Sequence, residues 1–369
     1  MKKNKCTLVV DGNWLLRSRI LAIKEYFALG NYQPEAGKTA MFNILAQSIC
    51  RTLSMFDGVV DNILIVKDGG SWRKKLEKPA SLQATVYKGN RVSDETYDWN
   101  AIWKVSNDFF DRCKEIGITV SMTWDMEGDD LIYYWTNILN NEGVNCIIWS
   151  TDQDLQQLVK YDSKAFTVWY EKSKGLCLPN SLEEKQVDPI DFFMTSERAK
   201  NPLIEKLKTR TNSFYIDPAE IVMSKIVCGD TGDNIKSLIR IQKNTKTYRI
   251  SNKDWLSVKS DLNIDSLDKF FEYKDAICER LRMKKNTGNL DEIKEEFDYN
   301  KKLVWLNSET IPNNLLKTTG GEDYYIYDVD NIKNNYRVLT GEADEDSAVA
   351  AFEDIVAPFL KKNKYGYSK

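Results

Sequence analysis

The sequence contains no histidine among its 369 residues. Without histidine the chain cannot build a Ser-His-Asp or Cys-His nucleophilic site, a histidine-ligated zinc site or a histidine general base. Its seven cysteines are scattered and include no CxxC pair, which predicts reduced, mostly buried thiols and not a disulfide framework. The polar chemistry that remains belongs to carboxylates, lysine, arginine and bound metal ions.

Long hydrophobic runs are missing as well. No stretch approaches the ~20 apolar residues that a membrane-spanning helix needs. The basic start MKKNKC is followed only by TLVV, which is too short for a signal peptide. An apolar content of 42%, with 18 tyrosines and 10 tryptophans, is typical of a folded protein. We therefore expect a cytoplasmic protein without a membrane partner, long enough for two domains.

Apolar runs that alternate with helical patterns predict the fold class. Buried strands are predicted at 6–10, 62–66, 118–123 and 146–149, and helices at 12–29, 38–56, 93–116, 127–141 and 152–160. This alternation indicates an α/β protein with a mostly parallel central sheet flanked by helices. From about residue 172 the pattern weakens, and 179–218 is predicted to be irregular and partly helical.

After residue 217 the pattern is mainly helical. Asp217 and Pro218 predict a capped helix that ends near Cys228. Further helical segments are predicted near 251–260, 266–285, 291–303 and 346–361. We therefore predict an α/β domain over 1–235 and a smaller C-terminal helical domain over 236–369.

Nine acidic residues stand where apolar runs end. They are Asp11, Asp68, Glu127, Asp129, Asp130, Asp152, Asp154, Asp230 and Asp233. An open α/β sheet gathers its ligand-binding loops at the carboxyl ends of its strands. Carboxylates brought that close together raise each other's pKa values unless a cation lies among them. The set therefore predicts an oxygen-lined site for divalent ions such as Mg²⁺ or Mn²⁺.

Two basic segments accompany these acids, although the net charge of the chain is only −3. Between Gly70 and Val92 six cations stand against one acid, and between Lys236 and Lys259 seven cations stand against one acid. Separate acidic and basic segments suit a metal site that handles a polyanion. Two divalent ions about 3.5–4 Å apart can hold a scissile phosphate, which makes hydrolysis of phosphate esters the favoured chemistry.

Each motif also has a simpler interpretation. A single aspartate after a strand is most often a helix cap or a turn residue. EGDD and STDQD could each be a solvated helix start, and GDTGDN could be a turn or a poor calcium loop. Both basic segments could be solvated faces. The recurrence of acids at five separate strand or helix ends favours the metal site.

The order of the motifs resembles that of the 5′-nuclease (flap endonuclease) family. The resemblance rests on VVDGNWLL, KDGG…WRKK…YKGNR, EGDDLI, STDQDLQQL and GDTGDNI, and it runs from residue 6 to about 235. Within the family, the resemblance is to the bacteriophage enzymes of the T-even ribonuclease H type, which are 5′→3′ exonucleases. A weaker resemblance covers EFDYNKKLVWLNSETIPNNL, at 296–315.

The resemblance implies a PIN-like catalytic domain that binds two Mg²⁺ ions, with Mn²⁺ as a possible substitute. The first ion would be held by Asp11, Asp68, Glu127, Asp129 and Asp152. The second would be held by Asp154, Asp230 and Asp233, with Asp130 adjacent. Such an enzyme would remove RNA primers and 5′ flaps during phage-type DNA replication, from DNA and RNA–DNA duplexes with 5′ ends or flaps.

The resemblance also implies roles for the basic segments. Lys88 and Arg91 would be catalytic by clamping the scissile phosphate. A helical arch around 71–91 would guide the strand through Arg73, Lys74 and Tyr87. The duplex would be held by Lys236, Arg240, Lys243, Lys246 and Arg249, without the glycines that the family commonly has after its last aspartates.

The expected function also implies binding partners, and two alternative functions stay open. We expect a monomer that docks on replication proteins such as a single-stranded-DNA-binding protein or a sliding clamp. If the chain is phage-encoded, its location would be the host cytoplasm. A non-catalytic nucleic-acid-binding protein of the same fold stays open as an alternative, as does a metal-dependent phosphatase.

Overall fold

The computed structural model describes residues 6–30, 33–56, 58–91, 95–115, 118–161, 164–182, 202–243, 246–262, 264, 267–272 and 290–319. By their contacts these residues form two compact units. The first contains the described residues within Met1–Gly70, Asp94–Ile216 and Asn314–Lys369, and the second those within Ser71–Ser93 and Asp217–Asn313. The domain boundary predicted near residue 235 stays a prediction.

The first unit is built on one large sheet. Its strands are β1 (Cys6–Asp11), β2 (Asn62–Val66), β3 (Thr119–Ser121), β4 (Asn145–Trp149), β5 (Lys160–Tyr161), β6 (Phe166–Glu171), β7 (Gly175–Pro179) and β8 (Ser213–Ile216). The order is β3-β2-β1-β4-β6-β7-β8, with β5 paired to β6. Strands β3, β2, β1, β4 and β6 are neighbours in this order and run parallel. Strand β7 is antiparallel to β6 but parallel to β8. The predicted mostly parallel sheet is confirmed.

Helices cover this sheet. They are α1 (Gly12–Ile20), α2 (Pro34–Met55), α3 (Trp99–Glu115), α4 (Gly128–Asn141), α5 (Pro202–Lys208) and α10 (Asn313–Thr318), which begins at the end of the second unit. Every residue of β1 and β4 is buried, as expected for central strands covered on both faces. Phe42 of α2 and Phe109 of α3 pack edge to face in the apolar core, with ring centroids 5.5 Å apart.

Three helices predicted in the first unit are shorter than expected. The helix predicted over 12–29 ends at Ile20, because the Ala22 and Ile23 amides bond to carbonyls three residues back. A 3₁₀ turn (Lys24–Phe27) follows. The helix predicted from 93 begins at Trp99, where the Asp98 carboxylate accepts from the Ala101 amide at 3.0 Å. The helix predicted over 152–160 is a 3₁₀ turn over Gln153–Leu158.

The stretch after residue 172 is more regular than predicted. It contains β7, α5 and β8, and it follows strand β6 that the sequence pattern did not reveal. All residues of β7 are buried, so the strand lacks the alternation of polar and apolar residues that marks a half-buried strand. Residues 183–201, the part of the helix predicted near 266–285 that follows residue 272, and the helix predicted near 346–361 lie outside the described residues.

The second unit contains mainly helices. They are α6 (Pro218–Cys228), α7 (Asn252–Asp261), α8 (Leu267–Glu272) and α9 (Leu290–Val304). The predicted cap is present, since the Asp217 carboxylate accepts from the Ala219 amide at 3.0 Å and Pro218 occupies the first turn. Buried side chains from these helices, including Trp255 and Phe270, form an apolar cluster.

Two segments of the second unit carry predicted nucleic-acid residues. The described residues over 71–91 form single 3₁₀ turns at Trp72–Lys75 and Ala80–Leu82, and the helical arch around 71–91 stays a prediction. Pro79 stands between these turns, where its ring disfavours a continuous helix. Arg240–Lys243 (β9) and Lys246–Arg249 (β10) pair as an antiparallel hairpin.

The cysteines of the described residues are buried free thiols. They are Cys6, Cys50, Cys113, Cys146, Cys177 and Cys228. Burial raises the pKa of each of these thiols. The expectation of reduced, buried cysteines is confirmed for these six, and Cys278 lies outside the described residues. Within the same residues, no helix has the length and apolar content to cross a membrane.

Candidate metal centre

Four acidic groups stand at one edge of the large sheet. Asp11 ends β1, and Asp68, Glu127 and Asp152 follow β2, β3 and β4. These four strands are neighbours and run parallel in the order β3-β2-β1-β4. Their carboxyl ends therefore meet at the same edge, where α/β sheets commonly bind ligands. Positions that are far apart in sequence are thus brought to one edge.

The Asp11 carboxylate is held by two hydrogen bonds. Its Oδ1 accepts from the Trp14 amide and its Oδ2 from the Ser150 hydroxyl, each at 2.9 Å. Asp11 is only 8% exposed. Burial raises the pKa of Asp11 to about 7; the two hydrogen bonds lower it, and the charges of Asp68 and Asp152 raise it. A cation bound nearby would therefore lower the pKa of this carboxylate and favour its ionised form.

Asp68 connects the starts of two helices. Its Oδ1 accepts from the Gly128 amide at 2.6 Å, and its Oδ2 accepts from the Asn13 side-chain amide. A β-carbon on Gly128 would lie 2.9 Å from Asp68 Oδ1, so the close approach requires glycine. Asn13 belongs to α1 and Gly128 begins α4. The positive N-terminal end of α4 also favours the negative charge of Asp68.

Glu127 and Asp130 form a reciprocal capping box at the start of α4. Asp130 Oδ2 accepts from the Glu127 amide at 3.3 Å. Both residues are buried, whereas Asp129 between them is partly exposed. The metal-binding role of Asp130 stays a prediction, and its part in the capping box gives it a second, structural role.

Ser150 connects Asp11 to the acidic residues that follow β4. Its hydroxyl oxygen accepts from the Asp152 amide at 3.0 Å, and Asp152 Oδ1 accepts from the Asp154 amide at 2.9 Å. Trp169 of β6 donates its indole N–H to the Asp152 carbonyl at 3.0 Å. Asp152 is exposed and Asp154 is partly exposed, so solvent reaches both.

The simpler interpretation of the acids is correct at two positions without excluding metal binding. Asp11 caps α1 and Asp152 caps the 3₁₀ turn, each through its Oδ1. An ionised carboxylate offers about four lone-pair sites on two oxygens, so capping leaves capacity for a cation. The two roles are therefore compatible.

Asp230 belongs to the second unit, where it forms an ion pair. Lys225 Nζ lies 2.6 Å from its Oδ2, and the Gly232 amide donates to its Oδ1 at 2.7 Å. Burial acts to raise the pKa of Asp230, but the hydrogen bond and charge of Lys225 outweigh it, and the pKa lies below its usual value. The carboxylate is therefore ionised at neutral pH.

Asp233, also in the second unit, meets the two cations that were predicted to bind phosphate. Arg91 Nη2 lies 2.5 Å from its Oδ1, and Lys88 Nζ lies 3.8 Å from its Oδ2. The Tyr87 hydroxyl donates to the same carboxylate at 3.3 Å, and the Lys88 amide donates to the Asp233 carbonyl at 2.9 Å. A predicted metal ligand and predicted phosphate clamps thus form one charged cluster.

Asn300 of α9 fixes the loop that carries these aspartates. Its side-chain amide donates to the Ile226 carbonyl at 3.0 Å and to the Lys236 carbonyl at 2.8 Å. Asn300 is buried, so both carbonyls would lose their partner without it. It lies in the segment 296–315 that carried the weaker resemblance.

The side chains suit hard divalent cations. Among the described residues, however, no three acidic or cysteine side chains lie close enough together to hold a metal ion as they stand. Mg²⁺ keeps several waters and takes few direct carboxylate ligands, so a loose set of carboxylates still fits it. The division of the nine carboxylates between two ions stays a prediction.

The predicted nucleic-acid residues have different environments. Arg73 is 2% exposed, with its guanidinium 4.7 Å from the Trp72 ring centroid, and Tyr87 is buried in an apolar cluster. Their burial weighs against direct contact with a nucleic acid. Lys74 and Lys236 are exposed, as is Arg249. Binding by these residues, and by Arg240, Lys243 and Lys246 in the hairpin, stays a prediction.

Sequence reasoning missed Asn13, Gly128 and Asn300, and it did not foresee the hydrogen bond from Ser150 to Asp11. Asn13 stands two positions after Asp11 in DGN, where a short polar side chain in the first turn of a helix can reach a neighbouring strand end. That spacing is a usable signal. Nothing in the local sequence around Asn300 indicates its two distant carbonyl partners.

Comparison with known proteins identifies relatives along most of the chain. A 5′-3′ exonuclease of Mycoplasmopsis pulmonis (strain UAB CTIP) is 25% identical over 317 residues, 85% of this chain and 84% of that protein. A 5′-3′ exonuclease of Buchnera aphidicola subsp. Acyrthosiphon pisum (strain APS) is 25% identical over 288 residues, 71% of this chain and 90% of that protein.

Solved structures resemble the chain more distantly. The T5 D15 protein, co-crystallised with metal ions, is 14% identical and has a TM-score of 0.46, over 96% of this chain and 99% of that one. No family model matches the sequence. The ordered acidic motifs and the two exonuclease relatives confirm the resemblance of the chain to the 5′-nuclease (flap endonuclease) family.

Proposed function

We propose that the chain is a divalent-metal-dependent 5′→3′ exonuclease and flap endonuclease that uses Mg²⁺. Its similarity to the two 5′-3′ exonucleases supports a nuclease, which hydrolyses phosphodiester bonds. The observation that carries the finer proposal is the row of carboxylates after β3, β2, β1 and β4, in which Asp11 is buried. The shared name of the two sequence relatives, 5′-3′ exonuclease, supports the direction of cleavage.

Bound divalent ions at such carboxylates supply a nucleophilic hydroxide and stabilise charge during phosphodiester hydrolysis. In this proposal Asp11, Asp68 and Asp152 hold an ion in the first unit. Ser150 orients the Asp11 carboxylate and the Gly128 amide orients that of Asp68. No histidine would be needed as a general base, because ions held by these carboxylates would supply that function.

Lys88 and Arg91 act in this proposal on the scissile phosphate. Both are cationic and neither can ligate a metal, so their contribution is to neutralise charge that develops in the transition state. In the structure they are held at Asp233, which keeps them near one another. Arg91 is exposed and Lys88 is partly exposed, so an incoming phosphate can reach them.

The biological setting is also part of the proposal. The substrates would be DNA and RNA–DNA duplexes with 5′ ends or flaps, and the role would be removal of RNA primers in phage-type replication. The enzyme would act as a monomer in the cytoplasm, that of the host if the chain is phage-encoded. It would dock on a single-stranded-DNA-binding protein or a sliding clamp.

One assay separates this function from the alternatives. Purified protein with Mg²⁺ is incubated with a labelled 5′-flap duplex, a nicked RNA–DNA hybrid and nucleotide monophosphates. Cleavage of the first two to products with a 5′-phosphate is expected. Phosphate release from monophosphates alone would favour a phosphatase, and binding without cleavage would favour a non-catalytic protein.

Asp154→Asn provides the matched test of the site. It removes one negative charge from the candidate metal centre, so cleavage should be lost while binding of the flap duplex survives. Asp111→Asn is the control, because Asp111 is an exposed residue of α3 outside the acidic motifs. Equal loss of binding and cleavage in Asp154→Asn would contradict a metal role for Asp154.

A further inference from the structure

We infer that Trp124 stacks on an unpaired nucleobase of the polynucleotide, beside the candidate metal centre. The inference rests on the proposed function and adds a binding residue to it. Trp124 is 78% exposed, the highest value among the large apolar side chains of the described residues. A tryptophan ring so placed adds little to the core, so its position calls for another explanation.

The turn that carries Trp124 is firmly fixed to the loop after β2. The Gly69 amide donates to the Met126 carbonyl at 2.8 Å, and the Asp125 amide donates to the Gly69 carbonyl at 2.9 Å. A β-carbon on Gly69 would lie 1.9 Å from the Thr123 carbonyl oxygen, which shows how closely the two backbones approach. Asp125 has a φ of 65°, a conformation that fixes the turn.

A second set of contacts supports the same turn. The Thr123 and Thr319 hydroxyls lie 3.1 Å apart, and the Tyr134 hydroxyl of α4 donates to the Thr319 carbonyl at 2.7 Å. Thr319 also donates to the Met126 sulfur at 3.3 Å. The backbone beneath the exposed indole is therefore anchored on two sides, which reduces the entropic cost of binding through it.

The anchored turn joins the segments that supply two of the carboxylates. Gly69 follows Asp68 directly, and Met126 precedes Glu127 directly. Trp124 is three residues from Glu127, a span of at most ~11 Å in an extended chain. Three stacked nucleotides cover about the same length along a strand. A base held on Trp124 would therefore set where the backbone phosphates lie relative to these carboxylates.

A nucleobase fits this ring better than a protein surface does. The chain neighbours of Trp124 are the polar residues Thr123 and Asp125, so the ring does not belong to an apolar run of the sequence. Protein interfaces use contiguous apolar area, whereas a base needs only one aromatic face. Stacking also tolerates every base, which suits an enzyme that acts without sequence preference.

The test measures binding of wild type, Trp124→Ala and Trp124→Phe to 5′-flap oligonucleotides by fluorescence anisotropy. Trp124→Ala should bind about tenfold more weakly, within the range for loss of one base–aromatic stack, and Trp124→Phe should keep most of the affinity. An oligonucleotide series with one abasic site at successive positions locates the stacked base. At that position wild type and Trp124→Ala should bind equally.

Leu21→Ala is the matched control, because Leu21 is 70% exposed at the end of α1 and is predicted to touch no substrate. Its affinity should equal that of wild type. Thermal melting of Trp124→Ala should also match wild type, since the ring is exposed.

Equal affinity of wild type and Trp124→Ala for every oligonucleotide would overturn the stacking role while leaving the nuclease proposal intact. A defect in Trp124→Ala that persists at every abasic position would also overturn it, because no single base would then account for the loss. Failure of wild type to bind or cleave any polynucleotide would instead reject the proposed function.

Discussion

Replacement of Asp11 by asparagine is expected to stabilise the metal-free protein at pH 8. The pKa of Asp11 is raised from 3.8 to about 7, mainly by burial. The folded protein thus prefers the protonated carboxyl. The stability that this group contributes is complete below pH 3.8 and is lost as the pH rises through 7. Roughly three pKa units correspond to about 4 kcal/mol, an upper bound for the cost at pH 8.

Asparagine removes this cost and keeps the local geometry. Its Oδ1 can accept from the Trp14 amide as the carboxylate does, and its Nδ2 can donate to the Ser150 hydroxyl, which turns to accept. Allowing for relaxation around the charge, we expect Asp11→Asn to be more stable than wild type by about 2 kcal/mol at pH 8. Near pH 4 the difference should be close to zero.

Urea unfolding with a chelator present, at pH 4 to 8, measures this difference. Asp111→Asn, at an exposed position of α3, is the control and should show no such pH dependence. Saturating Mg²⁺ should reverse the order, because wild type gains binding energy that asparagine cannot supply. A wild type that is more stable than Asp11→Asn at pH 8 without metal would refute the reasoning.

Three further substitutions test other contacts. Gly128→Ala places a β-carbon 2.9 Å from Asp68 Oδ1, so urea unfolding should show a loss of about 1 kcal/mol and Mn²⁺ titration a weaker affinity. Arg91→Gln removes the cation bound to Asp233, so Mn²⁺ should bind more tightly in the absence of DNA; unchanged affinity would contradict competition. Asn300→Ala leaves the carbonyls of Ile226 and Lys236 without this donor, and a loss of about 2 kcal/mol is expected in urea unfolding.

The first four strands could be predicted from sequence because each combines an apolar run with a clear end. In β1 and β2 the run of buried aliphatic residues stops at or near an aspartate, which marks both the strand and its functional end. Strand β7 has no such mark. It is buried along its length, and its pairing with β6 and β8 depends on contacts distant in sequence.

The candidate site was predictable for a similar reason, and only in part. Helix-capping and strand-end positions constrain where Asp11 and Asp152 lie, so their approach to one sheet edge follows from the strand order. The ion pair of Arg91 with Asp233 could not be foreseen, since the two residues are 142 positions apart. Burial of Arg73 and Tyr87 was hidden because a basic aromatic segment has the same composition on a surface or in a core.

The alkylation rates of the buried cysteines would report local opening of the structure. A thiol that is enclosed and has a raised pKa reacts with alkylating reagents only when the surrounding structure opens. Cys6 and Cys146 lie on the adjacent strands β1 and β4, whereas Cys228 ends α6 just before the loop of Asp230. In a Cys278→Ser background, mass spectrometry of labelling rates would follow opening at the sheet and at that loop separately. Binding of an ion or a DNA end would then be read as slower alkylation of particular sulfur atoms.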